Sequence, residues 1–326
     1  MIPQNKFVLT RGLIWVTCLL AFPVPHVWAQ DTSAAARAWL EKMSRAAHQT
    51  SYEGTFVYLH DKQMKSMRIT HIVGADGERE RLVTLDGAGR EVLRSGHDIT
   101  CILPDDKTGV ARIHPRKAFP YALPGGIDEL ADYYDFALAD QERIAGLAAQ
   151  RVLVKPKDQY RYGYHLWIDQ ASNLLLKAAM MNEHDQPVEQ LMFTTLTLNP
   201  ANPAPLAAPA AQDGARSEEH APRTDSGAKE WRVTRPPQGF KPIEHTKYTM
   251  PLDDEQVEHI VLSDGLASVS VFIEKHDDHD KFVGTSYRGA VNAYGIIYQD
   301  HQITVVGEVP RATVQLIGQS VERIAP

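Results

Sequence analysis

The chain has 326 residues, 43% of them apolar, which is enough to bury cores for about two domains. Its formal charge of −7 excludes the strongly basic surface that a nucleic-acid or polybasic membrane contact requires. Only two cysteines, Cys18 and Cys101, are present, so a disulfide-stapled fold is excluded as well.

The N-terminus reads as an export signal. Lys6 and Arg11 precede an apolar run at 12–22 (GLIWVTCLLAF), and 23–29 (PVPHVWA) ends in Val-x-Ala, the small-residue pattern of a signal-peptidase site. Removal is expected after Ala29, giving a signal peptide at 1–29. The alternative is an uncleaved anchor, but the run falls short of the roughly 20 residues that a membrane span needs. Cys18 lies inside the apolar core, without the small residues that precede a lipidated cysteine. Cleavage removes Lys6 and Arg11 and no acid, moving the formal charge from −7 to −9. Cys101 is then the sole thiol. It is read as a buried inert residue in a strand at 99–103, with pairing between chains as the alternative.

A first domain is expected at 30–198. Asp31-Thr32-Ser33 offers helix N-cap chemistry, and Trp39, Met43 and Ala46/Ala47 recur at helical spacing through residue 48. Short strands follow at 55–60, 67–73, 81–85, 90–94 and 99–103, with Asp76-Gly77, Asp86-Gly87 and Ser95-Gly96 as turns, the pattern of an antiparallel meander. Residues 114–126 are irregular and Pro-punctuated, and 127–136 (IDELADYYDF) reads as a short helix. Further strands are expected at 151–155, 159–168, 174–181 and 188–197. Tyr160, Tyr162, Tyr164, Leu166 and Ile168 alternate strictly and share one sheet face. A sheet of about nine strands with one or two helices must fill its concave face with those helices or with something else. A closed core and a ligand cavity both satisfy this pattern. Met64, Met67, Met180, Met181 and Met192 add deformable surface.

Residues 199–228 are rich in Pro, Ala and small polar residues and read as a semi-extended linker. A smaller α+β domain is expected at 229–326. A Pro-guided extended segment at 231–240 leads into a hairpin at 257–274 turning on Asp264-Gly265. Strands at 282–288, 292–298 and 302–308 follow, and a closing helix from Pro310 carries Val314, Ile317, Val321 and Ile324 on one face.

No nucleophile elbow, zincin helix, phosphate loop, dinucleotide glycine pattern or paired-cysteine motif occurs, so no catalytic residue, cofactor or metal is assigned and the chain is read as a binding protein, not an enzyme. The cluster His276-Asp277-Asp278-His279-Asp280 holds metal-ligating groups, but adjacent residues point apart, and a solvated loop is the preferred reading.

Six segments in order resemble the MucB/RseB family: Trp39-Leu40, 133–136 (YYDF), 162–169 (YGYHLWID), 237–240 (PQGF), 262–272 (LSDGLASVSVF) and 303–310 (ITVVGEVP). The resemblance spans the mature chain. It implies an unclosed β half-barrel like that of lipoprotein carriers, followed by a smaller antiparallel sheet with a helix. It also implies a periplasmic negative regulator of the envelope-stress response that binds the periplasmic segment of a membrane-anchored, MucA/RseA-like anti-sigma factor. That binding shields the anti-sigma factor from regulated proteolysis, and in Pseudomonas-like organisms alginate output is affected. Lipoprotein or lipopolysaccharide acyl chains are implied as releasing ligands, and Phe56, Tyr58, Ile69, Tyr162, Tyr164, Leu176 and Met192 are assigned to line the lipid groove. An acyl chain gains about 0.8 kcal/mol per buried methylene there. A periplasmic lipoprotein carrier is the alternative function. The sequence leaves partner-contacting residues and self-association into a homo-oligomer open.

Overall fold

The structure is a computed structural model and describes residues 27–60, 63–75, 77–96, 98–102, 108–111, 126–203, 223–225, 227–250, 255–275 and 282–324. Residues 1–26, the heart of the expected signal, and the cluster at 276–280 lie outside the described residues, as does most of the expected linker.

Among the described residues, the first unit is one 11-stranded antiparallel sheet with two helices. Helix α1 (Val27–Gln49) precedes β1 (Tyr52–His60), β2 (Gln63–Gly74), β3 (Gly77–Thr84), β4 (Glu91–Ser95), β5 (Asp98–Ile102) and β6 (Thr108–Ala111). A four-residue helix, α2 (Ile127–Leu130), separates these from β7 (Tyr134–Ile144), β8 (Leu147–Pro156), β9 (Gly163–Asp169), β10 (Leu175–Met181) and β11 (Pro187–Leu198). The spatial order is β6-β5-β4-β3-β2-β1-β11-β10-β9-β8-β7, so β1 and β11 pair at the centre and the sheet does not close. This is the expected unclosed antiparallel architecture. The helix expected over 127–136 ends at Leu130, and Tyr134 already belongs to edge strand β7. Asp31-Thr32-Ser33 sits inside α1 in this chain instead of capping it. Cys101 is a free, half-buried thiol on β5.

Helix α1 packs against β7 and β8. Ala36, Leu40 and Met43, spaced as one helical stripe, bury against Val152, Val154, Tyr162, Tyr164, Leu166 and Ile168. Trp39, the aromatic anchor expected from the pattern, is only partly buried at the rim of this cluster. At the centre, Gly54 permits a close approach: a Cβ there would fall 2.7 Å from both Phe193 Cε1 and the Thr195 carbonyl, beside the bulge at Thr55/Phe56.

The second unit contains β12 (Arg223–Asp225), β13 (Trp231–Val233), β14 (Lys241–Thr249), β15 (Gln256–Ser263), β16 (Ser268–Lys275), β17 (Gly284–Arg288), β18 (Val291–Tyr298), β19 (His301–Gly307), α3 (Arg311–Gly318) and β20 (Val321–Arg323). Seven strands form a sheet in the order β12-β14-β15-β16-β19-β18-β17, while β13 and β20 pair separately. Val314 and Ile317 of α3 close a core with Ile260, Val271, Ile303 and Val305. The closing helix does not continue to Ile324. It stops at Gly318, where a Cβ would lie 2.6 Å from the Tyr294 ring, and Val321 then enters β20 beside Trp231–Val233. Pairing satisfies the backbone there, so Val321 is buried as a strand residue while Ile324 stays exposed.

Candidate functional site

Arg161 joins the two units. It stands in the turn between β8 and β9, flanked by Tyr160 and Tyr162, and its side chain is fully buried. The guanidinium donates to Asp264 Oδ2 at 2.8 Å, to Asp158 at 2.9 and 3.0 Å, and to the Gln238 carbonyl at 2.6 Å. The rings of Tyr133, Tyr134 and Phe240 surround it at 4.9, 5.4 and 5.3 Å. Asp264, also fully buried, accepts from the Tyr134 hydroxyl at 2.9 Å, and its other oxygen caps the β15–β16 turn by accepting from the Leu266 and Ala267 amides. A buried charge is tolerated only when paired and hydrogen-bonded, and here the guanidinium makes four donor bonds while both Asp264 oxygens accept. Burial, followed by the Asp264 charge, raises the Tyr134 phenol well above its ordinary range, so it remains a proton donor to that carboxylate.

Sequence patterning reads Asp264-Gly265 as a hairpin turn only and passes over Arg161. A charged residue inside an otherwise alternating aromatic run is the available signal. Its partner lies in another domain, which no local pattern reveals.

The seam continues along the sheet. Asn292 Nδ2 donates to Tyr162 Oη at 3.0 Å and to the Val309 carbonyl at 2.8 Å. Thr313 Oγ1 of α3 donates to the Tyr160 carbonyl at 2.7 Å. Ala290 is fully buried in the first unit's core cluster, and Leu266 packs against the same cluster. Gly239, at φ +91°, abuts the Tyr133 ring so closely that a Cβ would lie 2.7 Å from it. The two sheets therefore share a continuous apolar and polar boundary instead of behaving as the freely tethered bodies that the composition of 199–228 suggests.

Register shows how the residues assigned to a lipid groove are arranged. Cross-strand partners share a face, so Tyr164, Met180, Glu189 and His60 form one row across β9, β10, β11 and β1. Leu166, Ala178, Leu191 and Tyr58 form the next row on that face, and Phe56 and Phe193 stand beyond it. Tyr162 and Tyr164 face α1 and the second unit, while Phe56, Tyr58 and Ile69 form a neighbouring cluster with Leu191 and Phe193. Leu176 and Met192 belong to a different cluster, with Trp167, on the reverse face. That face also carries Lys177 and Arg151, 4.1 and 5.9 Å from the Trp167 ring. Five of the seven residues thus share one face, and Leu176 and Met192 lie behind it. Of the five, Phe56, Ile69, Tyr162 and Tyr164 are buried and Tyr58 is half-buried. Burial is the leading cause that pushes the Tyr162 phenol up to about 12 and the Tyr58 and Tyr164 phenols higher still.

Among the described residues no group of three or more His, Cys, Asp or Glu side chains is arranged to hold a metal, and no helix is long and apolar enough to cross a membrane. The arrangement offers surfaces, with buried ionic chemistry used to hold two sheets together.

Comparison with known proteins decides the family. A model of the MucB/RseB N-terminal domain matches residues 35–215, and a model of the MucB/RseB C-terminal domain matches residues 225–322. The chain belongs to the MucB/RseB family. It is 34% identical to the sigma factor AlgU regulatory protein MucB of Pseudomonas aeruginosa over 327 residues, covering 96% of each protein. The fold is similar to a crystal structure of MucB in complex with MucA(peri), with a TM-score of 0.68, 32% identity, and coverage of 89% of this chain and all of that one. A second complex, of Pseudomonas aeruginosa MucA/MucB, gives a TM-score of 0.70 at 32% identity, covering 90% of this chain and all of that one. The MucB/RseB family members are sigma factor regulatory proteins, and Arg161, Asp264 and Asn292 of this chain lie within the matched segments.

Proposed function

We propose that this chain is a periplasmic, non-catalytic regulator of an AlgU/sigma-E-type sigma factor. It binds the periplasmic segment of a MucA-like anti-sigma factor and protects it from regulated proteolysis. The observation that carries this reading is the match of both units at once, and of their arrangement, to MucB as solved with MucA(peri). Two sheets locked at a common seam present one composite surface, and an extended polypeptide gripped on such a surface is withheld from a protease.

Release by lipid is the second part of this proposal, and the burial along the seam supports it. Tyr162 and Tyr164 face α1 and the second unit, so an acyl chain would have to displace one of these to reach them. Lipid and docked second unit would then compete for one face, which supplies the difference in affinity between two states that coupling requires. The tests are proteolysis and lipid capture. The periplasmic segment of the anti-sigma factor should survive its protease when this chain is present and be cleaved when acylated lipid is added. Full cleavage in the presence of the chain without lipid removes the regulator reading. Tyr164→Glu should weaken lipid capture in a folded chain, and undiminished capture removes this groove. Capture of acylated cargo with no hold on the anti-sigma segment would point to a lipoprotein carrier instead.

A further inference from the structure

The face of the first sheet turned away from α1 carries a cluster that the seam does not use. Arg151 on β8, Trp167 on β9 and Lys177 on β10 are direct cross-strand partners and form one row on that face. In a chain of formal charge −7 this row is a local reversal of sign. The Lys177 ammonium stands 4.1 Å from the indole centroid and the Arg151 guanidinium 5.9 Å from it. Trp167 is 4% exposed, yet its Nε1–H finds no acceptor among the described residues, and neither does the Nε–H of Arg151. Buried donors are nearly always paired, so two orphans beside one ring, among cations, point to an anionic acceptor. The neighbouring carboxylates do not serve. Glu142 and Asp140 lie 3.2 and 3.7 Å from the terminal nitrogens of Arg151, and Asp185 lies 3.4 Å from His165. None of them reaches the two orphaned N–H groups.

We propose that Arg151, Trp167 and Lys177 form a binding site for an oxyanion of the phosphate class. The Trp167 Nε1–H, the Arg151 Nε–H and the Lys177 ammonium donate to its oxygens. These donors come from three adjacent strands. A tetrahedral anion presents oxygens in three directions, whereas a carboxylate presents two in one plane. Entry requires Lys177 to leave the indole, which its flexible four-carbon stem permits. The field at the site suits a negative ligand. Burial holds the neighbouring His165 imidazole below its ordinary value, with Asp185 opposing the effect and Arg151, Lys155 and Lys177 adding to it. The row lies on the opposite face from the residues that meet α1 and the second unit, so its occupancy does not depend on how an anti-sigma segment is held. The same chemistry is carried by a free phosphate ion and by the headgroup of an anionic phospholipid.

The test is nuclear magnetic resonance of the full chain at the Trp167 indole N–H, a signal assigned by its loss in Trp167→Phe. Inorganic phosphate should move this resonance downfield and saturably, and sodium chloride at matched ionic strength should not. Lys177→Gln, at a half-buried position, removes one charge-assisted donor and should weaken phosphate binding about tenfold. Lys65→Gln, exposed on β2, should bind as the parent does. If Lys177→Gln does not fold, Trp167→Phe, which keeps an aromatic ring and loses the donor, carries the same comparison by calorimetry. Vesicles of phosphatidylglycerol, set against phosphatidylcholine, separate the two sources. Sedimentation of the parent but not of Lys177→Gln with phosphatidylglycerol assigns the site to a lipid headgroup. Saturable binding of inorganic phosphate without that sedimentation assigns it to the free ion. The site is overturned if neither inorganic phosphate nor phosphatidylglycerol distinguishes the parent from the variant.

Discussion

Replacing Arg161 with methionine isolates the energetics of the seam. Methionine keeps much of the side-chain volume but removes the guanidinium, leaving the fully buried Asp264 carboxylate without its counter-charge. Breaking a buried pair by removing one partner costs about 3–5 kcal/mol. Contact with three aromatic rings adds to the loss, at about 0.5–2 kcal/mol each when desolvated. Asp264 retains the Tyr134 hydroxyl and two backbone amides, which softens the penalty, so about 3 kcal/mol is the expected net cost. The decisive variant is the double replacement Arg161→Met with Asp264→Asn. An asparagine keeps the carbonyl that caps the β15–β16 turn and carries no charge, so about 1–2 kcal/mol should be recovered. Urea unfolding followed at tryptophan reads both units, since Trp167 lies in the first and Trp231 in the second. An Arg161→Met chain within about 0.5 kcal/mol of the parent, as for an exposed ion pair, would refute the argument. So would strictly additive effects in the double variant.

Gly239→Ala should destabilise by about 1–3 kcal/mol, because φ +91° is strained for alanine and its Cβ would strike Tyr133. Gly284→Ala carries a similar φ of +100° with open space around it, so its midpoint shift in urea should be clearly smaller. Asn292→Ala leaves the Val309 carbonyl and Tyr162 hydroxyl without their donor and should cost about 1–3 kcal/mol in the same assay. Leu166→Ala, at a fully buried site on β9, should cost about 2–5 kcal/mol. Glu80 gives a pH prediction of the usual carboxylate sign. Burial alone would raise its carboxyl, but His71 and Arg94, the latter at 2.9 Å, together hold it below the ordinary value. Its stabilisation is present above the unfolded carboxylate range and lost as pH falls through the lowered value. Arg94→Leu should therefore move the onset of acid unfolding, followed by circular dichroism, to higher pH.

The antiparallel, unclosed character of the first sheet is legible because turn dipeptides punctuate its strands. Asp76-Gly77 and Ser95-Gly96 mark reversals where Gly77 and Gly96 take positive φ. The strands that escape a reading by pattern lack such marks. Strand β14 opens on Lys241-Pro242 and is exposed over its first four residues, so its apolar pattern is faint. Strand β7 begins in Tyr134-Asp135-Phe136, whose spacing fits a helix as readily as an edge strand. Leu176 and Met192 lie on the reverse face for two separate reasons. The irregularity near Leu175/Lys177 shifts the register at Leu176, and a shift of one residue exchanges faces, while Met192 alternates with Leu191 and Phe193, which occupy the other face.

Local order is written in the chain by period and turn chemistry, and the residues quoted from Trp39 to Pro310 carry enough of both to give the architecture and the family. The seam is a different matter. Arg161 meets Asp264 across 103 positions, and Tyr162 meets Asn292 across 130. Pairings at that separation leave no periodic trace, because each partner is compatible with solvent until the other excludes it. Only the docked structure decides which charges are buried, and with them whether the two sheets act as one.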